Sequence, residues 1–437
     1  MKDTIRIVGW ALCIVLGLVV CAAPAAWAGG VEVLEQGRGV GNANAGVRAT
    51  GDDASTVWWN PAAMTRFRCN SVALTGSVIL PDASFRDQGS FRAPTPMGPL
   101  PFIGEMGTND DPIFTGAIFA VWSLSPCWKV GLGVNTPFGL TTDWGRSWIG
   151  RYHATNSELL TVNINPSVAW KFHRNWSVAV GGSAMYAKAT LGGAIDFGAA
   201  LNAPQSADGH LEVEGDSWGY GFNGGLLWEP SPCWSFGAHY RSRVTQDVEG
   251  DATYEVPAAA APLVAATGRF VDTDASTSVT LPDTAGLSVV YRAGPQWQIL
   301  ADVTWTGWSS FTELDIDFAN PAEPNNITPW NWDDTWRVAL GATYALNRCW
   351  TFRGGVAWDQ SPIPDTTRSP RIPGNDRVWL SGGVGYRFSR NWSVDLVYTH
   401  VFVEKANSQV ASAEAGALLG HYDSGVDVIS FQLNWDF

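Results

Sequence analysis

A short turn recurs along this chain, and each copy opens a strand-like run, in six of the seven on a Trp. Six copies read Pro126-Cys127-Trp128, Arg174-Asn175-Trp176, Pro232-Cys233-Trp234, Pro295-Gln296-Trp297, Arg348-Cys349-Trp350 and Arg390-Asn391-Trp392. Arg68-Cys69-Asn70 is a weaker first copy, which makes seven. After each turn the residue character alternates. Trp350, Phe352, Val356 and Trp358 fall on one side of their run, and Thr351, Arg353, Gly355, Ala357 and Asp359 on the other. Trp392, Val394, Leu396, Tyr398 and Phe402 repeat the pattern against Ser393, Asp395 and Thr399. Successive side chains of a β-strand point to opposite faces, so each run is a strand with one apolar face. A strand also precedes each turn, as over 336–344. Seven units of strand, long loop, strand and tight turn predict fourteen strands.

The apolar face has a measurable height. Trp350 and Trp358 stand eight residues apart on one face, about 26 Å at the rise of a strand. A transmembrane barrel shows an outward apolar band about 25 Å tall with aromatic girdles at both edges. A water-soluble sandwich, the alternative, has no reason to place Trp at both ends of one face. The last run alternates Ile429, Phe431, Leu433, Trp435 and Phe437 with Ser430, Gln432, Asn434 and Asp436, and the chain stops on the aromatic. The expected fold class is all-β: a 14-stranded antiparallel transmembrane β-barrel with a small, partly helical N-terminal hatch in its lumen. Its long loops are expected at roughly 81–112, 141–157, 190–216, 245–279, 306–334, 360–376 and 404–425.

Composition narrows the function classes. The 437 residues carry 27 basic and 41 acidic side chains, a formal charge of −14. That excludes a nucleic-acid binder held by phosphate neutralisation. Lys2 and Arg6, the apolar run 7–23 and Ala26-Trp27-Ala28 form a secretory signal peptide over 1–28; an uncleaved anchor helix is the alternative use of that run. No later stretch of 18 apolar residues exists, which excludes a helical membrane protein. Cys69, Cys127, Cys233 and Cys349 remain after the signal. Equivalent turns lie two strands apart, about 9 to 10 Å, beyond disulfide reach of about 7 Å, so free thiols are expected. The six histidines are scattered without metal-ligand spacing. No metal, cofactor or catalytic group is assigned, and the chain is read as not an enzyme.

Residues 29–68 differ from the rest. They carry no alternation, and small residues dominate their first half. Asp52 or Asp53 suits a helix cap, and Pro61 the first turn of another helix. A compact piece of that size buries little alone, so it is expected to fill the lumen, with the barrel over 69–437. A disordered tail is the alternative, opposed by Trp58, Trp59, Met64 and Phe67.

Taken together, these residues resemble the FadL, OmpP1 and TodX family of Gram-negative outer-membrane transporters for long-chain fatty acids and hydrocarbons. The resemblance rests on Asp52–Thr56, Asn60-Pro61-Ala62, Ser157–Ala169, Asp302–Ser309, Arg353–Pro362 and Arg371–Arg377. Cysteines at the turns and Gly29-Gly30-Val31-Glu32-Val33 depart from it. The second departure matters because in the family the extreme N-terminus lies near the ligand. The family implies passive uptake: capture among the outer loops, a pocket above the hatch, a hatch rearrangement and sideways exit through a wall gap into the outer membrane. A lateral exit delivers an apolar chain directly to hydrocarbon.

Candidate sites follow. Proline cannot donate to a ladder, so Pro137, Phe138 and Gly139 predict a lateral-opening kink in strand three; the alternative is that Pro137 starts the outer loop. Asn60, Pro61 and Ala62 are expected to form the hatch gate facing that gap, or an ordinary helix start. Parity places Lys129, Arg337, Arg353 and Arg377 inside as ligand-binding candidates, since Arg binds carboxylates bidentately. Lumen acids such as Asp302, Asp359 and Asp395 are the competing partners. Segments 194–201 and 258–270 are apolar for outer loops and suit short helices of a capture groove, or loop-on-loop packing. The expected partners are a fatty acid or hydrocarbon, outer-membrane lipid and lipopolysaccharide, and the barrel-insertion machinery at Phe437. The chain is expected to act as a monomer, with its N-terminus and tight turns on the periplasmic side. A barrel hydrolase of lipase or esterase type, and a structural or adhesin barrel, are the rival functions.

Overall fold

The computed structural model describes residues 30–95, 98–412 and 414–437; the expected signal peptide lies outside them. The chain forms a closed, antiparallel barrel of 14 strands. In chain order these are β1 (Ser71–Asp87), β2 (Ile113–Ser123), β3 (Trp128–Asn135, resuming as Gly139–Asp143), β4 (Asn156–His173) and β5 (Trp176–Asp196). Then come β6 (Asp208–Ser231), β7 (Trp234–Arg241, resuming as Val244–Glu255), β8 (Thr273–Leu281, resuming as Thr284–Ala293) and β9 (Trp297–Thr306). The wall is completed by β10 (Thr335–Ala345), β11 (Trp350–Asp359), β12 (Arg377–Arg387), β13 (Trp392–Val403) and β14 (Gly416–Asp436). β14 pairs with β1 from Ser71↔Asp436 to Asp87↔Gly420, which closes the ring.

The outward face is apolar and ends in aromatics. Trp336, Val338 and Leu340 on β10 are exposed, while Arg337 and Ala339 between them are buried. Near the tight turns, cross-strand partners pair their rings around the rim. Trp128 stacks on Trp170 at 5.4 Å and Trp176 on Trp228 at 5.3 Å. Trp350 meets Tyr386 at 4.5 Å, and Trp392 stacks on Trp435 at 5.4 Å. Such pairs are the unit of sheet stabilisation and the interfacial girdle of a membrane barrel.

The turn slot explains its own sequence variability. The carbonyls of Cys127, Asn175, Cys233, Gln296, Cys349 and Asn391 each accept a 2.8 Å bond from the backbone N–H of a following strand, at Lys171, Glu229, Arg292, Ala345, Arg387 and Asp436. The working group is the carbonyl, so the side chain is free to be Cys, Asn or Gln. All four cysteines in the described residues are exposed and free.

The outer loops are shorter than expected. β1 runs to Asp87, β5 to Asp196, β6 starts at Asp208 and β7 ends at Glu255. The ladders continue above the apolar band with polar residues facing out, such as Glu212, Glu214 and Asp216 on β6. A loss of outward hydrophobicity ends the membrane band, not the strand.

Residues 30–70 thread through the lumen as short helical turns at Arg38–Asn42, Val47–Thr50, Thr56–Trp59 and Pro61–Arg66. Polar groups tie them to walls all around the ring. Arg48 Nη1 lies 2.7 Å from each carboxylate oxygen of Asp302 on β9, and Thr304 Oγ1 donates to the same carboxylate at 2.9 Å. Arg38 bridges Asp53 at 3.0 Å and Asp395 of β13 at 3.7 Å. Asn42 Nδ2 donates to the carbonyls of Ala342 at 2.8 Å and Gly354 at 3.2 Å. The Thr65 hydroxyl pairs with Ser177 at 2.7 Å. Arg241 of β7 donates to the Trp58 carbonyl at 3.0 Å and lies 3.5 Å over the Trp58 ring.

Removing one partner of a buried ion pair strands the other, at a cost of about 3 to 5 kcal/mol. Asp302→Ala is therefore expected to loosen the hatch while the barrel stays folded. Hydrogen exchange should rise over residues 38–66 and stay unchanged in β1 and β14; uniform protection in both segments would contradict the staple.

Candidate ligand seat and gate

Strand three breaks at its proline. Its first half pairs with β2 from Ala117↔Asn135 to Ser123↔Lys129. After Thr136, Pro137 and Phe138 the strand resumes at Gly139 and pairs with β4 from Gly139↔Leu160 to Asp143↔Asn156. The resumed half is not laddered to β2, so Ile113–Gly116 pair only with β1. Pro137 has no N–H to offer a neighbour, and the ladder between β2 and β3 ends just below it.

The chain's own beginning covers the break. Val33 N–H donates to the Pro137 carbonyl, and Gly139 N–H donates to the Val31 carbonyl, both at 2.8 Å. Glu32 thereby forms an antiparallel bridge with Phe138. Gln36 Nε2 donates to the Thr136 carbonyl at 2.7 Å and accepts from Asn135 Nδ2 at 3.1 Å. On the other side, Thr161 Oγ1 donates to the Phe138 carbonyl at 2.5 Å and accepts from the Phe138 N–H at 3.0 Å. Every polar backbone group from Phe138 to Gly139 that leaves the ladder thus has a partner, as buried backbone requires.

Above the break lies an apolar cluster built from wall, loops and N-terminus. It joins Val31, Phe138, Leu140, Met185, Val244, Leu281, Ile363 and Ile372 to Trp308, Phe311 and Trp332. Phe311 stacks between Trp330 at 5.2 Å and Trp332 at 5.0 Å, and Trp308 meets Phe311 and Trp332 edge-on at 5.3 and 5.0 Å. Gly30 enters this box at φ 69, and a Cβ there would stand 2.7 Å from Trp308 and 2.8 Å from Trp332. Both the left-handed backbone and the close approach require glycine.

A small polar cavity opens beneath the box. Glu32, Leu34, Asn44, Arg48, Trp59, Thr304, Thr306, Trp308, Thr335, Arg337 and Asp359 line it. Glu32 belongs to the hatch, not to a spanning strand. Burial, then the Asp359 charge, pushes its carboxyl up to about 7 against the pull of Arg48, Arg337 and Arg241. Burial likewise raises Glu35 to about 7, opposed by backbone N–H groups and by Arg337 and Arg377.

The sequence-chosen residues are distributed as follows. Pro137, Phe138 and Gly139 form the break. Asn60 does not face it: Asn60 Nδ2 donates to the carbonyls of Arg48 at 2.6 Å and Leu226 at 3.0 Å, and Oδ1 caps Ala62 N–H at 3.1 Å. The amide needs two acceptors and finds them against β6, where Gly225 leaves room; a Cβ there would lie 2.1 Å from Asn60 Oδ1. The segment that faces the gap is 31–36. Lys129 folds back on the tight turn, donating to Ser123 Oγ at 2.7 Å and the Ser125 carbonyl at 2.5 Å. Arg353 pairs with Asp395 at 2.6 Å. Arg337 donates to the Ala43 carbonyl at 2.9 Å and lies 5.4 Å over Trp379. Arg377 donates to the Asn375 carbonyl at 3.2 Å. Segments Phe197–Ala200 and Ala261–Thr267 are helical, and Phe197 meets Phe270 edge-on at 4.9 Å, so these outer loops pack on one another. Among the described residues no group of His, Cys, Asp and Glu gathers to hold a metal.

A closed barrel with an internal plug, a broken third strand and an apolar box over the break defines a class of outer-membrane transporter. The profile of the family described as outer membrane protein transport protein (OMPP1/FadL/TodX) matches residues 19–437, and the chain belongs to that family. It is 29% identical over 414 residues to the long-chain fatty acid transport protein of Escherichia coli O6:H1, covering 87% of this chain and 88% of that one. The protein of the same description from Salmonella typhi is 30% identical, with 85% and 87% covered. Among solved structures, a Pseudomonas aeruginosa FadL homologue superposes with a TM-score of 0.85 at 24% identity, over 93% of this chain and all of that one. The Pseudomonas putida toluene transporter TodX shares the fold at a TM-score of 0.66 and 16% identity, over 88% and 94%. The chain is an outer-membrane protein.

The raised pKa values of Glu32 and Glu35 set a sign. Docked, both residues favour the neutral form, so docking carries no penalty below pH 4 and weakens as pH rises through about 7. Hydrogen exchange over residues 31–36, corrected for intrinsic rates, is expected to rise between pH 6 and 8 and to lose that rise in a Glu32→Gln/Glu35→Gln variant. An identical pH slope in both proteins would exclude these carboxyls as the cause.

Proposed function

We propose that this protein is a channel for passive, ligand-gated uptake of long-chain fatty acids or related hydrophobic compounds, with lateral exit through the wall at strand three. The carrying observation is that one short segment serves both the seat and the gate. Val31 contributes its side chain to the apolar box, while the Val31 carbonyl and Val33 N–H hold both sides of Pro137. A hydrophobic ligand that takes the place of Val31 in the box competes with the same residues that cover the break. The relatives described as long-chain fatty acid transport proteins and as a toluene transporter support the substrate class. Burying an apolar chain against Trp308, Phe311 and Trp332 supplies the driving force, at about 25 cal/mol per Å² of surface removed from water.

In this reading residues 1–28 are removed on export, 29–68 act as the hatch, and no covalent chemistry is performed. Asn60, Pro61 and Ala62 serve as a pivot anchored on β6, with 31–36 as the moving latch. Arg353 acts with Arg38 as a hatch anchor. Arg337 and Arg377 each retain a buried donor nitrogen without a hydrogen-bond partner among the described residues, but both have carboxylates as neighbours: Asp359, Asp302 and Glu32 for Arg337, and Asp359, Asp376 and Glu35 for Arg377.

The gate is tested by locking it. Glu32 and Phe138 are bridge partners, with Cα atoms about 4.5 to 5.5 Å apart in such a pair, within disulfide reach. With the four turn cysteines replaced by Ser, Glu32→Cys/Phe138→Cys is expected to abolish oleate uptake by whole cells when oxidised and to restore it on reduction. Uptake that ignores the redox state would refute the latch.

A further inference from the structure

Among the described residues, Arg371 is set apart from the other cations enclosed by the barrel. Arg353, Arg48 and Arg38 are paired with carboxylates, and Arg337, Arg377 and Arg241 each have at least one as an electrostatic neighbour. Arg371 forms no ion pair. Its Nη1 donates to Ser157 Oγ at 2.8 Å and to the Asn156 carbonyl at 3.2 Å, both neutral groups at the start of β4. Burial pushes its guanidinium down to about 10, and no acidic side chain opposes that effect. An enclosed cation without a counter-charge is costly, which is the mark of a group awaiting an anion.

Its surroundings say what kind of anion. The next residue, Ile372, belongs to the apolar box, as do Leu140 and, partly buried, Leu159, two positions along β4 from Ser157. The Arg371 carbonyl accepts from Thr142 Oγ1 at 3.4 Å, on the resumed half of strand three. Wall space beside the guanidinium is clear, because Gly193 carries no side chain and a Cβ there would stand 4.0 Å from Nη2. Nearby, buried His153 has an Nε2 without a partner. From Ser157, four residues of β4 lead down to Thr161, which holds Phe138 at the break, a span of about 13 Å.

We propose that Arg371 binds the carboxylate of a long-chain fatty acid whose acyl chain runs down Ile372, Leu159 and Leu140 toward Phe138. This rests on the uptake reading above and sharpens it to a substrate class. A carboxylate supplies the counter-charge and accepts from the guanidinium fork, which a hydrocarbon or an ester cannot do. Arg371 is therefore the residue that distinguishes an acid from a neutral lipid of equal length.

The test measures binding of oleate and of methyl oleate to the detergent-purified full chain at pH 8. The unaltered protein is expected to bind oleate at least tenfold more tightly than its methyl ester. Arg371→Gln should weaken oleate at least tenfold and leave methyl oleate unchanged, with folding checked by heat-modifiable migration in gels. Equal affinities in the unaltered protein, or a variant that loses neither or both ligands alike, overturns the assignment; the first comparison decides the matter even should the variant misfold. Binding of neither lipid by the unaltered protein sinks the uptake reading itself.

Discussion

Hydrocarbon offers no hydrogen bonds, and that constraint governs the molecule. A strand in lipid must pair on both edges, so the sheet closes on itself with β14 against β1. The same requirement makes the break at strand three informative. Where Pro137 interrupts the wall, the freed backbone groups are taken up by Val31, Val33, Gln36 and Thr161, all of them protein. The plug is a continuation of the sheet's own hydrogen bonding at the place where the sheet cannot complete it.

Closure creates a second demand, because an enclosed lumen this wide has to be filled or wetted. The hatch fills it with charge as well as bulk. Arg48, Arg38, Asn42 and Asn60 reach β9, β13, β10, β11 and β6. Polar fastening suits a movable part: these bonds exchange with water at modest net cost, whereas an apolar interface of equal area would set the plug permanently. The apolar contacts are concentrated instead in the box around Trp308, where cargo can replace them.

The wall was legible in the sequence because period-2 alternation and the recurring turn are local signals. The break at Pro137 was legible for the same reason, since one residue type carries it. What escaped was set by register. Arg48 and Asp302 are separated by 254 positions, and nothing short of the ladder places them together. Parity did put Arg337, Arg353 and Arg377 inside, but it says nothing about which partners already hold them. Asn60 was read as facing the gap, whereas its amide is committed to carbonyls on β6. Loop residues have no parity at all, so Arg371 stayed invisible although it lies inside a recognised family block. Outer loop lengths were overestimated because polarity was taken as the end of a strand when it marks only the end of the lipid.

The recurring turn has a consequence for how such a wall changes over generations. Its invariant part is a main-chain oxygen, which every amino acid supplies. Selection therefore sees almost nothing of the side chain at that corner, and drift can install a thiol, an amide or a charge without disturbing assembly. The four cysteines are ornaments of that neutrality, and a spectroscopist could exchange them one at a time for reporters stationed around the lower lip of the cylinder.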